Sequence, residues 1–123
     1  MNLRSLDYVI LLCEDLERMK AFYHERLGFP IERDWEDWIE LRAGAVLLAL
    51  RRRGRPYDGP RPLHTASVQL AFRVEPGEVY ACHQELLDKK MEILEPPRDQ
   101  DYGHRTLFFR DPEGNILEIY AEI

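Results

Sequence analysis

The chain alternates between short runs rich in β-branched, aromatic and leucine residues and two longer stretches with helical spacing of apolar residues. The first helical stretch follows Asp15, a good N-cap residue, and ends at Gly28, a typical helix stop. Its apolar positions recur every three or four residues, at Leu16, Met19, Phe22, Tyr23 and Leu27. A second helix is predicted over residues 77–90, where Val79, Cys82 and Leu86 share one side.

Strands are predicted around both helices, in the same order each time. One predicted strand, residues 6–13, precedes the first helix. Three predicted strands follow it, at residues 31–35, 38–42 and 45–50, and Ala43-Gly44 forms a tight turn between the last two. The second set is 67–74, then 91–94, 105–109 and 116–120. We therefore predict an α+β fold of two βαβββ modules, residues 5–53 and 67–123, joined by a Pro/Gly-rich linker at 54–66. Because neither module buries its sheet face alone, we expect one curved, partly open barrel-like sheet with a central cleft.

The strongest local signal is the segment Asp111-Pro112-Glu113-Gly114-Asn115. Proline presets φ at the second position of a turn and glycine suits the fourth, so this segment predicts a hairpin between the last two strands. The second of these strands carries one carboxylate, Glu118, among apolar neighbours. Burying a carboxylate without a partner is costly, which makes Glu118 a candidate functional residue.

Composition narrows the class of protein. The 123 residues suit one domain, and 45% hydrophobic with 33% charged residues is typical of a globular protein. A net charge of −6 argues against a nucleic-acid partner. The apolar run at residues 9–12 is too short for a membrane span, so we expect a cytoplasmic protein without a membrane partner. Cys13 and Cys82 lie among apolar neighbours and are predicted to be free thiols.

The doubled order of elements and several short motifs resemble the vicinal oxygen chelate superfamily, which includes glyoxalase I, bleomycin-resistance proteins, fosfomycin-resistance enzymes and extradiol dioxygenases. The motifs are Leu6-Asp7-Tyr8-Val9, Glu14-Asp15-Leu16-Glu17-Arg18, Ala21-Phe22-Tyr23, Leu27-Gly28-Phe29 and Phe109-Arg110-Asp111-Pro112-Glu113-Gly114-Asn115-Ile116-Leu117-Glu118. The resemblance implies a small molecule in the cleft and a homodimer, formed by pairing modules within a chain or by exchanging them.

In metal-using members, ligands come from the first and fourth strands of each module. The resemblance puts these ligands at Tyr8, Leu48, Gln69 and Glu118. Leucine cannot coordinate and tyrosine is an uncommon ligand for hard divalent ions, whereas a catalytic site usually needs three protein ligands. No cofactor is therefore firmly implied, and a divalent metal would have Gln69 and Glu118 as its ligands.

Strand alternation and the resemblance together define the expected cleft lining: Tyr8, Trp38, Leu48, Gln69, Arg73, Tyr102, His104, Glu118 and Tyr120. Glu118 is the candidate catalytic group, and its alternative is an ion pair with Arg73 that performs no chemistry. His104 is a candidate acid/base group, or else an exposed loop histidine. The basic cluster Arg51-Arg52-Arg53-Gly54-Arg55 is a solvated loop, or else a guide for an anionic substrate.

Three functions follow from these residues. The first is binding of a small organic molecule without the complete divalent-metal site. The second is an enzyme: a metal-dependent lyase, isomerase or dioxygenase working through Gln69 and Glu118, or a metal-free one with Glu118 as base. The third is an accessory domain that binds a partner.

Overall fold

The computed structural model describes residues 1–123. The chain divides into two compact units, Met1–Arg61 and Pro62–Ile123. The first contains β1 Tyr8–Cys13, α1 Leu16–Lys20, a π-helix at Ala21–Arg26, β2 Ile31–Trp35, β3 Trp38–Ala43 and β4 Val46–Arg52. The second contains β5 Gln69–Arg73, α2 Glu78–Asp88, β6 Ile93–Asp99, β7 His104–Arg110 and β8 Ile116–Glu122. Both units are βαβββ modules, which confirms the predicted fold class.

The first sheet has the strand order β1-β4-β3-β2, with β1 parallel to β4 and the other pairs antiparallel. One of its faces is apolar and largely buried, and α1, which contacts β4, supplies further core residues. The residues of this core are Leu11, Cys13, Leu16, Met19, Phe22, Tyr23, Ile39, Leu41, Leu48 and Leu50.

The first helix begins and ends where its sequence predicts, but it is not α-helical throughout. The Asp15 carboxylate accepts a hydrogen bond from the Arg18 backbone N–H at 3.1 Å, which makes it the N-cap. The last turns are π-helical, with the Leu27 N–H donating to the Phe22 carbonyl five residues back. Gly28 then adopts φ of +85°, a left-handed conformation that favours glycine and ends the helix.

The second sheet has the equivalent order β5-β8-β7-β6, with β5 parallel to β8. The helix of this module, α2, has 11 residues and contacts β6, β7 and β8. The core of this module comprises Val79, Leu86, Leu107, Phe109, Leu117, Ile119 and Ala121. No helix of the structure is both long enough and apolar enough to cross a lipid bilayer.

Strand β6 is longer than predicted, because it continues through Pro96 and Pro97 to Asp99. Proline lacks the N–H that a central strand needs, and the sequence therefore indicated a strand ending at residue 94. At the edge of a sheet a missing donor is tolerated, and β6 is an edge strand whose register against β7 shifts between Glu95 and Arg98.

The predicted hairpin at the Asp-Pro turn is present. The Asp111 carboxylate accepts hydrogen bonds from the backbone N–H of Glu113 at 2.9 Å and of Asn115 at 3.0 Å, and from Asn115 Nδ2 at 2.7 Å. Gly114 has φ of +89° and donates its N–H to the Asp111 carbonyl at 3.1 Å. Strands β7 and β8 leave this turn in antiparallel register, so Glu118 has Phe108 as its cross-strand neighbour.

Candidate functional site

One face of the first sheet carries polar and aromatic side chains, and we call it the first polar face. Cross-strand partners lie on the same side of a sheet, so the register defines this face. Ile10 of β1 is paired with Ala49 of β4, which in turn is paired with Glu40 of β3. Tyr8 and Trp38 lie two residues away from Ile10 and Glu40 and therefore belong to the same face.

Glu40 is the central group of the first polar face. Its residue is only 6% exposed. The carboxylate oxygen Oε2 accepts a hydrogen bond from the Trp38 indole Nε1 at 2.8 Å, and the Tyr8 hydroxyl lies 3.4 Å from the same oxygen. The Tyr8 and Trp38 rings are tilted against each other with centroids 6.3 Å apart. Two aromatic residues thus position one oxygen of a buried carboxylate.

Ala49 explains how Tyr8 and Glu40 meet across an intervening strand. Neighbouring strands are separated by about 4.8 Å, so β1 and β3 lie roughly 10 Å apart on either side of β4. Only a methyl group stands between them, because β4 presents Ala49 there, and this methyl is completely covered. A larger side chain at position 49 would fill the space in which the two functional groups approach.

Sequence reasoning missed Glu40, although a signal was available. Glu40 lies between Ile39 and Leu41, so the segment alternates, and a carboxylate at such a position belongs on the face opposite the core. The same argument had singled out Glu118. Glu118 was identified and Glu40 was not, because the resemblance indicated the first and fourth strands of each module as the source of ligands. Glu40 lies on the third strand of its module.

The predicted position of Leu48 on the cleft-lining face was wrong. Leu48 is paired with Leu41, is 3% exposed and lies on the core face, whereas Leu47 is the residue beside Tyr8. The predicted turn was Ala43-Gly44, but Ala43 is paired with Val46 and the turn is one residue later. This later turn shifts the pairing by two residues and so does not exchange the faces of β4. Leu48 was assigned from the resemblance, and an all-apolar strand has no alternation that identifies its outward-facing residues.

The second polar face, on the sheet of the second module, contains the other predicted polar residues. Ala71 of β5 is paired with Glu118, and Arg73 is paired with Tyr120, so these side chains and Gln69 share one side. The Gln69 amide Nε2 donates to Glu118 Oε1 at 3.1 Å. This bond leaves the second carboxylate oxygen of Glu118 and the amide oxygen of Gln69 for other partners.

Arg73 does not form an ion pair with Glu118, although the sequence left such a pair open as the alternative role of this carboxylate. The Arg73 guanidinium instead lies 3.2 Å from Glu122, at the end of β8. The two side chains are 62% and 59% exposed, and ion pairs of such exposure contribute little to stability. Glu118 is therefore hydrogen-bonded to a neutral amide and is not ion-paired with the arginine on its own face.

Three aromatic rings form a cluster on the second module. The His104 ring is nearly parallel to that of Tyr120, with centroids 4.8 Å apart, and meets Tyr102 edge-on at 5.3 Å. Sequence reasoning placed His104 in a loop, whereas it is the first residue of β7 and is half-buried. Tyr102 is exposed. The structure thus brings these three predicted residues together.

The arginine cluster is held by carboxylates within its own module. Arg51 makes a bidentate ion pair with Asp58, at 2.6 and 2.9 Å. Arg52 lies 3.2 Å from Asp37, and Arg53 lies 3.2 Å from Glu14. These pairs favour a structural role for the cluster over the alternative of guiding an anionic substrate.

The residues present do not fit the usual metal site of metal-using members. No group of three or more His, Cys, Asp or Glu side chains in the structure is arranged to hold a metal ion. Of the four positions that the resemblance indicated, Gln69 and Glu118 offer an amide oxygen and a carboxylate. The Tyr8 hydroxyl is directed at Glu40, and Leu48 lies in the core. A catalytic divalent ion normally takes three protein ligands.

A sequence model of the Glyoxalase/Bleomycin resistance protein/Dioxygenase superfamily matches residues 5–119. The chain belongs to this superfamily. It is 34% identical to YwkD of Bacillus subtilis, an uncharacterised protein, over 99% of this chain and 100% of that protein. It is 25% identical to the glutathione transferase FosA of Serratia marcescens, over 97% of this chain and 82% of FosA.

Solved structures of the superfamily share the fold. A glyoxalase/bleomycin resistance protein/dioxygenase from Nocardioides superposes with a TM-score of 0.85 at 23% identity, covering 100% of this chain and 86% of that one. At this level of identity the similarity concerns the fold. The reaction and the ligand have to be argued from the side chains on the two polar faces.

Proposed function

We propose that this superfamily member binds a small organic molecule through side chains of its polar faces, without the complete divalent-metal site of metal-using members. The observation that carries the proposal is the donor set. Gln69 and Glu118 are hydrogen-bonded to each other on the second polar face, and no third His, Cys, Asp or Glu completes a metal-binding group. Small-molecule sites typically combine apolar and aromatic walls with a few polar groups, which describes these faces.

Each polar face has its own candidate contact residues. On the first module they are Tyr8 and Trp38, to which the structure adds Glu40. On the second module they are Gln69, Arg73, Tyr102, His104, Glu118 and Tyr120. Leu48 is no longer among them, because it lies in the core. A cytoplasmic location and a homodimer stay predictions.

Two measurements on purified protein test this proposal. Elemental analysis by mass spectrometry should find far less than one divalent metal ion per chain. A thermal-shift screen of a small-molecule library should find stabilising compounds, since a ligand that binds only the folded state raises the melting temperature. Glu118→Gln should weaken binding of such a compound by about tenfold, the loss of one charge-assisted hydrogen bond.

Glu92→Gln is the matched control, because it removes the same charge from an exposed residue of the second module that precedes β6. It should leave binding unchanged. One tightly held divalent ion per chain would contradict the proposal and favour the alternative enzyme, a lyase, isomerase or dioxygenase using Gln69 and Glu118. In that enzyme Glu118→Gln would abolish turnover, and a screen without any stabilising compound would contradict both functions.

A further inference from the structure

The Glu40 carboxylate lacks a counter-ion within its module. Its two hydrogen-bonding neighbours, Trp38 and Tyr8, are both neutral. Arg33 is its direct cross-strand partner on β2, but the Arg33 guanidinium lies over the Trp35 ring, 4.6 Å from the centroid. The other arginine nearby in sequence, Arg42, is paired with Glu32 at 3.1 Å.

Both hydrogen bonds to Glu40 use the same carboxylate oxygen. Oε2 receives the Trp38 indole and the Tyr8 hydroxyl, which leaves Oε1 for a further donor. Burying a carboxylate is unfavourable unless it is paired with a positive charge or fully hydrogen-bonded. A residue that is 6% exposed and has only two neutral neighbours is therefore suited to receive a cation.

Aromatic rings lie beside this carboxylate. The Trp38 and Tyr8 rings lie 6.3 Å apart and both residues contact Glu40 Oε2, and Trp35, exposed on β2, is the cross-strand partner of Trp38. Aromatic faces attract organic cations through the ring quadrupole, with tryptophan the most effective ring. A carboxylate beside two aromatic rings thus offers both interactions that recognise an alkylammonium group.

We propose that the first polar face binds the ammonium group of an organic cation, with Glu40 as counter-ion and Tyr8 and Trp38 as aromatic walls. This inference rests on the proposed small-molecule function and specifies the chemical class of its ligand. Ala49 is part of the site, because its methyl group leaves the space in which Glu40 and Tyr8 approach.

The Trp38 indole N–H provides a direct readout. It donates to Glu40 at 2.8 Å, and the chain has only one other tryptophan, Trp35. In a ¹H–¹⁵N correlation spectrum the two indole signals are assigned with Trp35→Phe. Choline chloride is then titrated against its uncharged isostere, 3,3-dimethylbutan-1-ol, with sodium chloride as the ionic-strength control. The Trp38 signal should shift saturably with choline, which should bind about tenfold more tightly than the alcohol.

Glu40→Gln removes the charge and keeps the size of the side chain, so choline binding should fall about tenfold. Glu36→Gln is the matched control, because it removes the same charge from the exposed turn between β2 and β3. Equal shifts with choline and the alcohol in the unmodified protein, or unchanged choline binding in Glu40→Gln, would overturn the proposal. The first comparison requires no variant and so does not depend on the folding of Glu40→Gln.

Failure of the cation site and failure of the proposed small-molecule function give different experimental results. If library compounds bind and respond to Glu118→Gln while choline shows no preference over its isostere, the cation site is wrong and small-molecule binding stands. If no library compound stabilises the protein, the proposed function is wrong, and the choline titration still decides whether the first polar face recognises a cation.

Discussion

At the scale of single residues, the most buried ion pair of the chain holds the loop that follows β4. The Asp58 side chain is 2% exposed and receives Arg51 in a bidentate arrangement, as well as the backbone N–H groups of Gly54 and Arg55 at 2.9 and 2.8 Å. These donors, Arg51 foremost, hold the pKa of Asp58 well below its usual value of 3.8. A single carboxylate therefore holds the backbone of Gly54 and Arg55 directly after β4.

We predict that Asp58→Asn lowers the urea midpoint of unfolding at pH 7. Because the folded-state pKa of Asp58 is depressed, its contribution to the free energy of unfolding is fully present above pH 3.8, the usual value, and is lost as pH falls further. The difference in midpoint between the unmodified protein and the variant should thus be constant from pH 7 to 5 and shrink at pH 3.

The control for this prediction is Asp99→Asn. Arg105 also lowers the pKa of Asp99 through hydrogen bonds of 2.6 and 3.2 Å, but the Asp99 side chain is 50% exposed. Solvent screens this pair, so the variant should change the midpoint less than Asp58→Asn does. Equal midpoints for Asp58→Asn and the unmodified protein at pH 7 would show that the buried pair does not stabilise the fold.

At the scale of elements, the turn between β7 and β8 depends on one side chain. Asp111 is buried and accepts three hydrogen bonds, from Glu113 and Asn115, within a loop that could not otherwise satisfy these donors. Asp111→Ala should reduce the free energy of unfolding by about 2 kcal/mol or more, since buried donors lose a charged acceptor. Chemical denaturation measures this loss.

Asp111→Asn is the graded comparison for the turn. It retains one carbonyl oxygen for the backbone N–H groups of Glu113 and Asn115 but removes the charge, so its loss of stability should lie between those of the unmodified protein and Asp111→Ala. If Asp111→Ala and Asp111→Asn were equally stable, the backbone hydrogen bonds to the side chain would not be what holds the turn.

Some features of these elements could be predicted from the sequence and others could not. The Asp-Pro-x-Gly-Asn turn and the Asp15 cap were predictable because each depends on the local chemistry of a few neighbouring residues. The face of β4 was not, because Val46, Leu47, Leu48, Ala49 and Leu50 are all apolar and only strand register distinguishes them. The hydrogen bond that Tyr8 donates to Glu40 likewise joins residues that are 32 positions apart in sequence and depends on strand pairing.

At the scale of the whole molecule, one plan of elements occurs twice and carries different chemistry each time. The first module presents a buried carboxylate hydrogen-bonded to two aromatic residues, and the second presents a carboxylate hydrogen-bonded to an amide beside a cluster of rings. Strand order and helix position are the same in both modules, so the difference comes from single side chains on the polar faces. The fold was therefore predictable from repeated pattern, whereas the site was predictable only in part.

The assembly of the molecule is the last property that its strands allow us to predict. Each sheet has two edge strands, β1 and β2 in the first module and β5 and β6 in the second. Edge strands present unpaired backbone groups, and β1 also exposes Tyr8 and Ile10 by 40% and 42%.

We expect a homodimer, so light scattering after size exclusion should give about twice the chain mass of 14.6 kDa. Since association stabilises only the folded state, the melting temperature should also rise with protein concentration. A mass of 14.6 kDa across the whole range of concentration, with a constant melting temperature, would show that the chain functions as a monomer.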